Sequence, residues 1–302
     1  MLQDLVAFWR LSRPVFLLGG VVLYALGAGI AHAQGASSPL TVYVLGQLCV
    51  TSLQLMTHYL NEYWDVETDR LNQSRTAFSG GSGVLASGEL SAPTALTAAA
   101  SCLACSAIFA IGLAVQGRMT VVTCSLILGM LVGAYFYSSP PLRLASTGIG
   151  EVLASFVVAA VVPWLGLVVA GGRPSAAFFS AVGPLVFIQF AMLLAFEFPD
   201  ERSDRQAGKR TLLVRIGSYH GVLVHNMGLF VGVLLIVVGS CTAMPSQTAF
   251  IAIATTPVAV GQMVAVAVVG EARRVGFETV TFLAIVTFSL PATLLAIVFW
   301  TA

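Results

Sequence analysis

Charge is what this sequence has least of. Only 9% of its 302 residues are Asp, Glu, Lys or Arg, against 58% apolar, and mean hydropathy is +0.93. The scarcity is organised. No charged residue falls between Arg13 and Glu62, between Glu89 and Arg118, or between Arg215 and Glu271. A charge near the middle of a spanning helix costs roughly 2.5–3.5 kcal/mol on insertion scales, so such gaps are what bilayer burial leaves. A soluble helical core cannot absorb this much apolar length, and the chain falls among polytopic membrane proteins. The net charge of +1 carries no signal of a nucleic-acid partner, and none is expected. Cysteine is also thin as a signal. Cys49, Cys102, Cys105, Cys124 and Cys241 lie in or at the ends of apolar segments, and the one CxxC, Cys102 and Cys105, has no second pair or nearby His. These cysteines are expected to be small buried packing residues. No cleavable signal peptide is expected, because Met1–Arg13 reads as a polar stretch leading straight into a first span.

What is present is nine apolar segments long enough to cross a bilayer, each needing about 20 residues. They are expected at 14–33, 40–60, 93–115, 119–138, 148–170, 176–198, 219–241, 246–269 and 278–300. The third and fourth, joined only by the turn around Gln116-Gly117-Arg118, are expected to be antiparallel neighbours. The fold class is all-α membrane protein, a single domain over 1–302. With the N-terminus cytoplasmic and the C-terminus outside, Arg10, Arg13, Arg70, Arg75, Arg143, Arg202, Arg205, Lys209, Arg210, Arg215, Arg273 and Arg274 all fall inside. Only Arg118 and Arg173 are left outside, as the positive-inside rule asks. Every carboxylate falls on that same inner side. The inner loops 61–92 and 199–218 look like matched parts of a weak internal repeat.

Two acidic clusters concentrate the polar chemistry: Asn61-Glu62-Tyr63-Trp64-Asp65-Val66-Glu67-Thr68-Asp69, and Asp200-Glu201-Arg202-Ser203-Asp204. Residues four apart share one helix face, so Asp65 with Asp69, and Asp200 with Asp204, each aim two carboxylates at a common point. Asn61 extends the first stripe, and His58 and Gln54 continue it backwards. Such pairs, used together with substrate phosphate oxygens, suit Mg²⁺, which keeps several waters and seldom receives an all-protein cage. Lys209 and Arg210 follow the second cluster, with Gly208 to bring them close. Metal and cations together stabilise the charge that develops when a diphosphate leaves. Tyr59, Tyr63, Trp64, Tyr135, Phe136 and Tyr137 flank these features, either as an interfacial aromatic belt or as faces that shield a cation.

The NxxxDxxxD of Asn61–Asp69, the DxxxD of Asp200–Asp204 and the following Gly208-Lys209-Arg210-Thr211-Leu212 resemble the UbiA superfamily of intramembrane prenyltransferases. Arg13-Pro14 and Tyr137-Ser138-Ser139-Pro140-Pro141-Leu142-Arg143 before Gly148-Ile149-Gly150-Glu151 are supporting matches. The resemblance covers essentially the whole chain. It implies nine transmembrane helices around a central cavity, capped on the cytoplasmic side by two Asp-rich loops. It also implies two Mg²⁺ ions, a polyprenyl diphosphate ionised to an allylic cation, and transfer of the prenyl group to an aromatic acceptor. On that resemblance Asn61, Asp65 and Asp69 serve one metal, and Asp200 and Asp204 the other. Lys209, Arg143, Arg13 and Arg210 are the diphosphate candidates, and His58, Tyr63, Tyr137 and Glu197 the candidate pocket residues. The family's frequent Tyr–Lys pair after the fourth span is missing, Arg143 standing at a different spacing from Tyr137. Phe196 and Glu197 stand where naphthoate-using relatives carry asparagines, yet Arg75-Thr76 and Phe78-Ser79-Gly80-Gly81-Ser82-Gly83 look more like the menaquinone branch. The acceptor therefore stays open. A terpene cyclase on the same scaffold needs the same metal constellation. A transporter would place its carboxylates at mid-membrane, where this chain has none.

Overall fold

The computed structural model describes residues 2–272 and 276–302; Arg273 and Arg274, counted above for orientation, lie outside the described residues. Among the described residues, helices α1 (Leu2–Leu11), α2 (Pro14–Ala33), α3 (Leu40–Trp64), α4 (Val66–Leu71), α5 (Ala92–Val115) and α6 (Val121–Ser138) form the first half. α7 (Gly150–Phe156), α8 (Val162–Val169), α9 (Ala176–Gln206), α10 (Leu212–Thr242), α11 (Ala249–Ala272) and α12 (Phe277–Thr301) form the second. Among the described residues nine stretches are long and apolar enough to span, with α7 and α8 making one of them. That matches the nine segments expected from hydropathy. The spans close around a cavity because α2 sits centrally, packed on α8 and α12, while α9 packs on both α10 and α12. Glycine permits the α2–α8 crossing. A Cβ on Gly27 would collide with the Pro163 carbonyl, and one on Gly166 with the Tyr24 carbonyl.

Three local departures shape the site. Between α7 and α8 the backbone makes a π turn, Val157–Val161, just before Pro163. Proline cannot donate to the carbonyl four residues back and its ring crowds it, so the turn widens there. The expected span at 176–198 is instead a 31-residue helix running on to Gln206. At 1.5 Å per residue it is about 46 Å long, more than the ~30 Å hydrocarbon thickness, so its last turns reach past the apolar layer. Asp200 and Asp204 thus stand on a rigid helix end, and the loops of the cap follow them. The expected span at 219–241 begins after a kink at Gly217 (φ 76°, ψ 160°), with one further helical turn from Leu212 ahead of it.

Three expectations change. The N-terminal stretch is an amphipathic helix: Leu2, Leu5, Val6 and Trp9 are exposed at helical spacing while Ala7 and Leu11 are buried. Such a face is what interfacial helices carry, and Gln3, Asp4 and Arg10 supply the polar residues beside it. α5 and α6, though joined by the turn at Gly117, pack on α3 from two positions instead of along each other. Gly112 lets α5 approach Leu45, and Cys49 contacts Ser106, so α3 is the better partner. Finally, only Cys49 is buried among the five free cysteines; Cys105, Cys124 and Cys241 are exposed on apolar outer faces.

Candidate active site

The two acidic clusters meet. Asp65, Asp69, Asp200 and Asp204 all line one cavity of about 380 Å³, together with apolar residues such as Phe16, Leu53, Met192, Leu193 and Phe196. The Lys209 ammonium lies between the clusters, 2.8 Å from Asp65 Oδ1 and 3.8 Å from Asp204 Oδ1. Its position follows from the turn after α9. Gly208 takes a left-handed φ of 75°, which swings the chain back so that the Lys209 N–H donates to the Asp204 carbonyl. Desolvation opposes the ammonium's charge, but the carboxylates of Asp65 and Asp204 more than offset it and raise its pKa.

Each aspartate has its own support. α3 ends at Trp64 and α4 begins at Val66, so Asp65 is the joint between two helices, yet the Asp69 N–H still donates to the Asp65 carbonyl at 2.8 Å. The stripe expected from i, i+4 spacing therefore survives the joint. Asn61 Nδ2 donates to Asp65 Oδ2 at 2.7 Å and to Ser138 Oγ at 3.2 Å. Asp69 is buried against residue 81, where φ is 68° and a Cβ would strike its Oδ2, so glycine is required twice over. Burial, then the neighbouring charges of Glu62 and Asp65, push the Asp69 carboxyl up to about 8. Asp200 accepts from Asn72 Nδ2 at 2.7 Å and from the Gly80 N–H at 3.0 Å. The loop after α4 thus hydrogen-bonds directly to the second cluster.

That loop is fastened by residues that spacing alone did not single out. Glu62, only 1% exposed, accepts from the Ser82 N–H at 2.6 Å and from Ser82 Oγ at 2.7 Å. Arg75 donates to the Gly80 carbonyl at 2.7 Å and the Asp69 carbonyl at 2.9 Å. Thr281 of α12 reaches Thr76 Oγ1 at 3.2 Å. Glu62 sits inside the first cluster's sequence, three residues before Asp65 and seven before Asp69 and so on their side of the helix; no spacing signal separates it, and only the packed loop shows that it holds Ser82.

The remaining candidates divide. Arg13 lines the cavity, donates to the Phe78 carbonyl at 3.2 Å and lies 4.6 Å over the Phe16 ring. Its backbone is left-handed (φ 50°), as is that of Arg143 (φ 43°); strain of this kind in a non-glycine residue collects at functional sites. Arg143 donates to the Trp64 carbonyl at 3.3 Å, one residue from Asp65, but its side chain is not part of the cavity wall. Arg210 is exposed and away from the cavity, its N–H donating to Ser146 and its carbonyl accepting from Arg215. His58, Tyr137 and Glu197 line the cavity, and His58 Nδ1 lies 3.1 Å from the Ser12 carbonyl oxygen. Tyr63 does not line it and stacks edge-on against Trp64. Glu151 does line it, beside Glu197.

Hard oxygen donors on two opposed helix ends, already balanced around a cation, are the donor set that Mg²⁺ prefers. Among the described residues no three His, Cys, Asp or Glu side chains converge on a single point. A divalent ion here would be completed by phosphate oxygens and water, the usual arrangement for Mg²⁺.

A model described as the UbiA prenyltransferase family matches residues 21–286. The chain is 29% identical over 267 residues to homogentisate phytyltransferase of Synechocystis sp., covering 81% of this chain and 80% of that protein. Its fold is similar to that of a UbiA homolog from Archaeoglobus fulgidus bound to GPP and Mg²⁺, at TM-score 0.70 and 19% identity, covering 98% of this chain and 100% of the other. The same homolog bound to DMAPP and Mg²⁺ gives TM-score 0.70 at 20% identity, over 97% and 98% of the two chains.

Proposed function

We propose that this chain, which belongs to the UbiA prenyltransferase family, transfers a prenyl group from a polyprenyl diphosphate to an aromatic quinone-precursor acceptor in a Mg²⁺-dependent reaction. It is a prenyltransferase and an integral multi-pass membrane protein. The observation that carries the finer reading is the convergence of four aspartates and Lys209 on one cavity that also has a long stretch of apolar wall. A diphosphate is held where they converge, and its prenyl tail lies along the apolar wall, for example against Phe16, Leu193 and Phe196. Asn61, Asp65 and Asp69 hold one ion, and Asp200 and Asp204 a second. Mg²⁺, when bound, supplies charge neutralisation for the departing diphosphate. Lys209 leaves its carboxylate partners for the phosphate oxygens, Arg13 closes on them from the turn before α2, and Arg143 reaches them by turning from the Trp64 carbonyl into the cavity. The C–O bond breaks to an allylic cation, which Phe16 and Tyr137 shield from water. The acceptor ring carbon then bonds to it and a proton leaves the ring. The acceptor class finds support in the phytyltransferase of Synechocystis, which is named for an aromatic substrate. The aspartate face is cytoplasmic, in keeping with the positive-inside rule.

The test is turnover of Asp65→Asn and Asp204→Asn in detergent, with geranylgeranyl diphosphate, Mg²⁺, and either homogentisate or 1,4-dihydroxy-2-naphthoate. Each variant is expected to insert and purify as the parent does and to lose at least about 10³-fold in rate. Full activity in either would remove the metal assignment. A cyclised hydrocarbon or alcohol formed without acceptor would mark a cyclase instead.

A further inference from the structure

One carboxyl pair on the cavity wall has no part in the metal and diphosphate chemistry. Glu151, on the first turn of α7, and Glu197, on α9, are 5% and 9% exposed and lie beside one another, close enough for each carboxyl to feel the other's charge. Each is anchored by one oxygen: Glu151 Oε1 accepts from the Leu212 N–H at 3.2 Å, and Glu197 Oε2 from the Leu213 N–H at 2.7 Å. The other oxygen of Glu151, Oε2, is buried with no protein donor, and Glu151 lines the cavity within electrostatic reach of Asp204. A buried oxygen left without a donor costs about as much as a lost hydrogen bond, so a ligand that brings a donor recovers that energy.

We propose that Glu151 is the acceptor-selecting residue: its free Oε2 accepts a hydrogen bond from a phenolic hydroxyl of the aromatic acceptor. This rests on the prenyl-transfer reading above. Three functional zones then share one cavity. The aspartates and Lys209 take the diphosphate, the apolar wall takes the tail, and the carboxyl pair takes the ring. An acid oxygen turns away carbonyl and carboxylate groups, which have no proton to offer it, and receives a neutral O–H. The hydroxyl it holds is also the group that makes the ring electron-rich enough to attack an allylic cation. Discrimination through a buried hydrogen bond is stronger than discrimination by shape, because the rejected analogue leaves the protein oxygen unpaired.

The experiment compares homogentisate and 1,4-dihydroxy-2-naphthoate with their dimethyl ethers, using geranylgeranyl diphosphate and Mg²⁺ in detergent. The ethers keep the ring activated but remove the donor. The parent protein is expected to prefer phenol over the corresponding ether by roughly ten- to a hundredfold in kcat/KM. Glu151→Ala should bring that ratio close to one while KM for the diphosphate stays at the parent value, and Glu151→Asp should retain part of it. A Mg²⁺-free thermal-shift titration should show phenol stabilising the parent protein and not Glu151→Ala. An unchanged preference in Glu151→Ala, or loss of diphosphate binding together with acceptor binding, would overturn the assignment. If neither variant purifies, the parent comparison decides, and equal kcat/KM for phenol and ether overturns it. Absence of diphosphate release from the parent with every acceptor would instead remove the prenyl-transfer reading itself.

Discussion

Replacing Lys209 by Met takes out the cation lodged between Asp65 and Asp204. The Lys209 side chain is 12% exposed and its ammonium lies 2.8 Å from one carboxylate and 3.8 Å from the other, so little solvent screens it. Removing one partner of a buried ion pair costs about 3–5 kcal/mol, and Asp65 keeps its Asn61 hydrogen bond, which puts the loss near the lower end. The metal-free variant should therefore be less stable by about 3 kcal/mol. Mg²⁺ should respond in the opposite direction. Two unit charges 4 Å apart interact by about 4 kcal/mol at an effective dielectric constant of 20, and a dication beside the ammonium doubles that. Lys209 can swing aside, so only part of this repulsion is relieved, and the Mg²⁺ midpoint should fall by at least roughly tenfold. Turnover should drop, since the same ammonium is proposed to grip the diphosphate. Thermal unfolding of the solubilised protein across a Mg²⁺ titration, paired with a transfer assay, reads all three effects. A variant with parental stability and an unchanged or weaker Mg²⁺ midpoint would show that Lys209 does not stand in the cation's place.

Two further outcomes are expected. Asp69, pushed to about 8 mainly by burial, must lose its proton before it can help hold a cation. Mg²⁺ affinity in the absence of diphosphate should rise from pH 6 and level off above pH 8. Metal-free stability should run the other way: the folded pKa lies above the ordinary carboxylate value, so Asp69's contribution is complete below pH ~4 and is lost as pH climbs through 8. A flat Mg²⁺ midpoint between pH 6 and 8 would contradict this. Glu62→Ala removes both acceptors of Ser82 and should raise hydrogen exchange across residues 72–91, with a stability loss of about 1–3 kcal/mol. Unchanged exchange there would show that the loop is held from elsewhere.

Much of the site could be read along the chain because its parts are local. Asp65 with Asp69, and Asp200 with Asp204, share a face by helical repeat alone, and Lys209 follows within a turn of the same segment. The nine spans follow from charge exclusion, which is a property of composition along each stretch. The amphipathic α1 follows from the same local logic, since Leu2, Leu5, Val6 and Trp9 keep helical spacing between its few polar residues.

Composition and local spacing, then, determined a bilayer-spanning helical chain and two carboxylate pairs at helix ends, because both depend only on neighbours within a few residues. Only the packed structure decided that Asn72 and Gly80 would clasp Asp200, that Lys209 would sit against Asp65, that Ser82 would occupy Glu62, and that Glu151 would line the cavity with one oxygen left without a donor. Those contacts join residues far apart in sequence. They exist because the length of α9, the glycine-bearing loop after α4 and the α2–α8 crossing bring three helix ends to one point, and no local pattern encodes where such ends converge.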